Sequence, residues 1–118
     1  MVAKSMVVLL KLDGHDVRVT YDGLAAVEAA LVFRPQVVLL DIGLPGMDGY
    51  EVADRLRSLD ETKDAFLIAL TGYGRTEDRI RALAGGFDYH LTKPVDPEEV
   101  VVIIKNLMSD GSNELVES

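Results

Sequence analysis

The stretch that most limits what this chain can fold into is Val37-Val38-Leu39-Leu40-Asp41-Ile42-Gly43-Leu44-Pro45-Gly46-Met47-Asp48-Gly49. It opens with four apolar residues, two of them β-branched. That is the pattern of a strand buried on both faces, as in a parallel sheet covered by helices. A carboxylate follows at once, so Asp41 stands at the C-terminal end of an interior strand, where open α/β sheets place their ligands. Gly43, Pro45, Gly46 and Gly49 then make a loop. An Asp on a rigid strand beneath a loop has two readings from these residues alone. It is a nucleophile, or it caps the helix that follows.

The rest of the chain alternates strand and helix around this stretch. Val2 to Leu12 reads as the end of a helix stopped by Gly14, with the apolar run Met6–Leu10 as a rival strand. Asp16 to Tyr21 alternates and reads as a strand near an edge. Asp22-Gly23 is a turn, and Leu24 to Phe33 is an alanine-rich helix ended by Arg34-Pro35. Further helices are expected near 49–59, 75–85 and 96–108, the last capped by Asp96 with Pro97 at its first position. Further strands are expected near 66–71 and 88–91. Residues 109–118 are polar and read as a frayed tail or linker after a domain spanning 1–108. The alternation predicts an α/β fold, a doubly wound parallel sheet with right-handed crossovers.

Composition narrows the function. At 118 residues the chain is one domain. It carries 20 acidic against 12 basic residues, a net charge of −8. That argues against nucleic-acid binding, which needs a basic face. No apolar run is long enough to insert in a membrane, and no signal peptide is visible, so a cytoplasmic location is expected. The absence of Cys excludes a disulfide framework and a thiolate metal site.

Three strands end on a polar side chain: Asp41, Thr71 and Lys93. In a parallel sheet these ends share one edge, so groups far apart in sequence converge. A carboxylate, a hydroxyl and an ammonium around one point suit phosphoryl chemistry, the carboxylate attacking phosphorus while the other two bind the equatorial oxygens. Taken singly, Thr71 reads as a turn residue and Lys93 as solvated charge; the joint placement carries the argument.

These residues resemble the receiver (response regulator) domain of two-component signalling, from about Val2 to Leu107. The resemblance lies in Leu39-Leu40-Asp41 with Pro45-Gly46-Met47-Asp48-Gly49, in Ala69-Leu70-Thr71-Gly72, and in Leu91-Thr92-Lys93-Pro94. Thr71 follows Asp41 by 30 residues and Lys93 follows Thr71 by 22. The wording around 14–17, 44–50 and 90–95 looks most like receivers attached to hybrid histidine kinases. The resemblance implies a flavodoxin-like (CheY-like) fold and no enzyme activity. It implies that Asp41 takes a phosphoryl group from a phosphohistidine on a sensor histidine kinase or phosphotransfer domain. It implies that Thr71 turns toward that group, that Lys93 pairs with it, and that a cis peptide precedes Pro94. His90 stands at the family's aromatic switch position, where its ring moves inward with Thr71.

One departure follows from the same comparison. Receivers begin with a strand ending in two adjacent acids that hold Mg²⁺, and matched to the family residues 2–12 are already the first helix. The fold is therefore expected to lack its first strand. Mg²⁺ binding by Asp41 and the Gly43 carbonyl is expected to be weak, because the ion wants several fixed oxygens; Asp13 is a minor substitute. The interior slot is expected to be met by rearrangement or by a second copy, a possible homo-oligomer, with 2–12 remaining helical. A degenerate receiver acting only as a docking module is the alternative. A phosphatase of the haloacid dehalogenase type also uses a strand-end Asp, a Thr and a Lys, but Gly43 stands where its general acid belongs. Of the other residues, His15 reads as an inert turn residue, Asp48 as a helix cap, and Tyr73 as a loop residue near the signalling face.

Overall fold

In the computed structural model the described residues are 3–12, 14–42, 49–71, 85–92, 95–107 and 113–117, with the backbone alone described for 3–6 and 113–117. The elements run α1 (Ala3–Leu12), β1 (Asp16–Thr20), α2 (Gly23–Phe33), β2 (Val37–Asp41), α3 (Gly49–Ser58), β3 (Phe66–Thr71), β4 (Tyr89–Thr92), α4 (Pro97–Leu107) and β5 (Asn113–Glu117). The five strands form one sheet in the order β1-β5-β2-β3-β4, and every neighbouring pair is parallel.

Local chemistry sets the helix ends. Asp22 is the N-cap of α2, its carboxylate accepting from the Ala25 N–H at 2.8 Å. The same helix stops at Arg34, whose left-handed backbone lets its N–H donate to the Ala30 carbonyl at 2.8 Å, with Pro35 next. Asp96 accepts from the Glu98 N–H at 3.0 Å, and Pro97 takes the first position of α4, where a missing N–H costs nothing. The stretch Ala3–Leu12 is helical and not a strand. Its stop is Gly14 at φ +90, where the Gly14 N–H donates to the Lys11 carbonyl and the His15 N–H to that of Leu10, each at 3.1 Å. His15, expected as a turn residue, is buried directly after this turn.

Helices cover both faces of the sheet. On one face Ala26, Val27 and Ala30 of α2 and Val52, Ala53 and Leu56 of α3 pack against Val38, Leu40, Leu67 and Ala69. On the other, Leu10 of α1 with Val100 and Ile104 of α4 meet Val17, Val37, Leu39, Ile68, Leu70 and Leu91. All five residues of β2 are buried, as the unbroken apolar run requires of a central strand. β1 is an edge strand, as its alternation indicates.

The C-terminal segment corrects the sequence reading. Residues 113–117 are not a frayed tail. They form β5, which lies inside the sheet with Asp16–Thr20 on one side and Val37–Leu40 on the other. The slot that the family comparison leaves between those strands is thus met by the chain's own end. The physical reason is hydrogen bonding. β1 and β2 each present a row of backbone donors and acceptors, and an interior row left unmatched is costly. A segment that reads as polar can satisfy those rows, because the backbone supplies the bonds whatever the side chains. The helix expected near 75–85 lies outside the described residues.

Candidate functional site

Asp41 ends β2 and is buried, 4% exposed. Its register partner on β3 is Leu70, so Thr71 stands one residue farther along the neighbouring strand at the same edge. The pairing continues past the strand, where the Ile42 N–H donates to the Leu70 carbonyl at 2.9 Å. Thr71 is also buried, 3% exposed. A carboxylate and a hydroxyl that share no local sequence are therefore held at one sheet edge, each buried at the end of its strand, the kind of fixed placement that a reacting group needs.

β4 adds the third group. His90 pairs in register with Ala69, and its ring nitrogen Nε2 lies 2.7 Å from the Thr71 hydroxyl. The Thr71 hydroxyl and the His90 ring are thus directly joined. Lys93, Gly43, Asp48, Asp13, Tyr73 and the Lys93–Pro94 peptide lie outside the described residues. Asp41, Thr71 and His90 are the predicted residues that the described structure brings to one edge.

Gly49 opens α3 just past the acceptor loop. A Cβ there would sit 3.0 Å from Cγ1 of Ile42, so glycine permits the close approach of α3 to the end of β2.

One residue of structural weight escapes sequence reading. Arg57 on α3 donates to the Gly86 carbonyl from Nε at 3.0 Å and Nη2 at 2.8 Å, and from Nη1 to the Lys63 and Ala65 carbonyls at 2.7 and 2.6 Å. It pairs with Asp88 at 2.6 Å, and Asp88 in turn accepts from the Leu67 N–H at 2.9 Å. The guanidinium fork thus ties α3, the approach to β3 and the approach to β4 into one unit. It fixes the start of the strand that carries His90. No local pattern betrays this, because Arg57 sits among charged residues on a helix and reads as solvated.

The family expectation includes Mg²⁺. Among the described residues no group of three or more His, Cys, Asp or Glu comes together. A single buried carboxylate does not fit an ion that demands near-octahedral oxygen geometry.

The response regulator receiver domain family model matches residues 1–105. The DNA-binding dual master transcriptional regulator RpaA of Synechocystis sp. is 35% identical over 99 residues, 84% of this chain and 41% of that protein. The polar-differentiation response regulator DivK of Brucella anthropi is 31% identical over 103 residues, 87% of this chain and 84% of that protein. The chain spans about half the length of the first curated relatives it matches, 41% and 46% of two of them. Among solved structures, the receiver domain of sensor histidine kinase PA1611 from Pseudomonas aeruginosa superposes with a TM-score of 0.75 at 30% identity, covering 86% of this chain and 81% of that one. That receiver is described with a magnesium ion in its active-site cleft. Chemotaxis protein CheY4 of Vibrio cholerae gives 0.78 at 27% identity, covering 88% of each chain.

Proposed function

The chain belongs to the response regulator receiver family, and we propose that within it Asp41 is the phosphoacceptor. A receiver domain of two-component signalling is a signalling module, and with this membership the dehalogenase-type phosphatase and the docking-only receiver are set aside. In the proposed step a carboxylate oxygen of Asp41 attacks the phosphorus of a phosphohistidine carried by a sensor histidine kinase or phosphotransfer domain. The P–N bond breaks, the pair returns to the imidazole nitrogen, and an acyl phosphate remains on Asp41. The observation that supports this reading most is the burial of Asp41 at the end of the central parallel strand, beside the equally buried Thr71.

The phosphoryl group adds roughly −1.5 to −2 charges at this edge. Thr71 answers by turning its hydroxyl from His90 Nε2 to a phosphoryl oxygen, a charge-assisted bond stronger than the neutral one it gives up. Lys93 is proposed to pair with the same group. His90, released, moves inward, and the surface around β4 changes shape. The change is a shift between two states, limited by how much better the phosphoryl group is held in one than in the other. Placement among receivers of hybrid histidine kinases and action in the cytoplasm belong to this proposal. The first is supported by the likeness to the kinase-borne receiver above. No helix among the described residues is long and apolar enough to cross a membrane.

The test is phosphoryl labelling of the full chain by a phosphorylated histidine kinase. Label is expected on the parent chain and lost in Asp41→Asn. Label that persists in Asp41→Asn refutes the assignment.

A further inference from the structure

The outward faces of α3 and α2 differ in kind. At its exposed positions α3 carries Glu51, Asp54, Arg55 and Ser58, the solvated face of an ordinary surface helix. α2 is apolar all the way round apart from Glu28. A helix of that composition belongs in a core. Only one side of α2 meets that expectation, with Ala26, Val27 and Ala30 buried in the layer that covers β2 and β3. On the other side Leu24 is 53% exposed, Leu31 37% and Val32 86%. Counted from Leu24, the residues Glu28, Leu31 and Val32 stand at i+4, i+7 and i+8, so all four share one face. They form a continuous aliphatic stripe with a single charge inside it. Scattered exposed aliphatic residues need no explanation, but a contiguous patch marks an interaction site. α2 starts directly after the C-terminal end of β1, so the stripe begins at the sheet edge that carries Asp41 and runs away from it.

We propose that this stripe is a docking surface for an amphipathic helix of another protein, one that sets a Lys or Arg among aliphatic residues. Burial of Leu24, Leu31 and Val32 supplies the attraction, as when a helix lays its apolar face on a partner. Glu28 supplies the preference. A basic residue opposite it pairs inside the contact, whereas an acidic one sets two like charges face to face. The same carboxylate argues against two other occupants. In a second copy of this chain, an antiparallel α2 pair turned about the middle of the stripe sets Glu28 against Glu28. Each copy also brings a net charge of −8, which repels the other. Helices that rest in a membrane interface carry Lys and Arg along their polar face, and α2 contains neither. Docking on α2 uses none of the chemistry of Asp41, so phosphoryl labelling and helix docking succeed or fail independently.

The experiment uses the full isotope-labelled chain and two capped helical peptides of about eighteen residues, built on alanine and glutamine. Both carry leucine at the sixth, thirteenth and fourteenth positions, the spacing of Leu24, Leu31 and Val32. At the tenth position, which matches Glu28, one carries lysine and the other glutamate. With the lysine peptide, resonance shifts are expected to concentrate on Leu24, Glu28, Leu31 and Val32. The glutamate peptide is expected to bind about fivefold more weakly, and Glu28→Lys is expected to reverse that order. Val32→Asp is expected to weaken the lysine peptide about tenfold, the loss of one buried valine. The far-ultraviolet circular dichroism of that variant should match the parent, because the side chain is exposed in the free chain. Shifts confined to other surfaces, no binding at millimolar peptide, or equal binding of the two peptides overturns the proposal. A dimer by sedimentation that Val32→Asp abolishes overturns it too, because the occupant is then a second copy of this chain. Co-sedimentation with phosphatidylcholine vesicles that the same variant abolishes does so as well, because the occupant is then a lipid surface.

Discussion

Deleting residues 113–118 is the sharpest perturbation of this fold, because it removes a strand from the sheet interior and no helix. β5 pairs with all of Asp16–Thr20 on one side and with Val37–Leu40 on the other. Parallel ladders carry close to one backbone bond per residue on each side. At about 0.5–1.5 kcal/mol net for each bond, the two ladders together are worth roughly 4–9 kcal/mol after the poorer members are discounted. A domain of this size has only about 5–15 kcal/mol in total. The deletion should therefore remove at least about a quarter of the stability and up to most of it, although a reader of the sequence would take these residues for a dispensable tail. Urea unfolding of the full chain and of residues 1–112, followed by far-ultraviolet circular dichroism, measures the difference. Amide exchange locates it: protection should fall first in β1, which loses its single neighbour, and then in β2. If residues 1–112 unfold within about 1 kcal/mol of the full chain, β5 does not hold the sheet together and the reasoning fails.

Arg57→Ala should cost about 2–4 kcal/mol, since it strips charged donors from partly buried carbonyls that water reaches only in part. In a domain this size that lowers Tm by about 8–16 °C, and Arg57→Lys should recover less than half, the ammonium lacking the fork; a calorimetric shift below about 2 °C contradicts this. Thr71→Val keeps the shape and removes the hydroxyl, so the ring resonances of His90 should move in the unphosphorylated chain; unchanged His90 shifts speak against the 2.7 Å bond. Mg²⁺ should bind more weakly than about 1 mM, less than about 4 kcal/mol of binding free energy, if Asp41 and the Gly43 carbonyl are its protein ligands, because the ion wants several fixed oxygens. Tighter saturable binding by calorimetry would show that another acid completes the site.

Much of this architecture is legible in the sequence, for identifiable reasons. β2 and β3 are unbroken apolar runs closed by a polar residue, and such runs in an alternating chain leave little choice but interior parallel strands. α4 announces itself through Asp96-Pro97, and Asp96 does what a cap does; α2 is legible from its alanines, while Asp22, which reads as a turn residue, proves to be its cap. The convergence of Asp41 and Thr71 follows from the same logic, since parallel strands put their C-terminal ends together. β5 is hidden because backbone pairing places it. Asn113-Glu114-Leu115-Val116-Glu117 has neither length nor pattern to mark a central strand, and only the two open edges, far away in sequence, give it a place. Arg57 was hidden for a related reason. Besides the Asp88 carboxylate, its partners are carbonyls of Lys63, Ala65 and Gly86, and a carbonyl has no signature in a sequence. The Thr71–His90 bond lay between these extremes, with both residues singled out but their direct contact a product of the β3–β4 register.

The central claim is that one carboxylate, Asp41, receives the phosphoryl group. Its most direct test is chemical. The chain is phosphorylated by a kinase phosphohistidine, the acyl phosphate is reduced with borohydride, and the peptide bearing the resulting homoserine is sequenced by mass spectrometry. The account predicts homoserine at position 41 and at no other Asp. Homoserine at a different Asp, or none when the same kinase phosphorylates a known receiver, contradicts it.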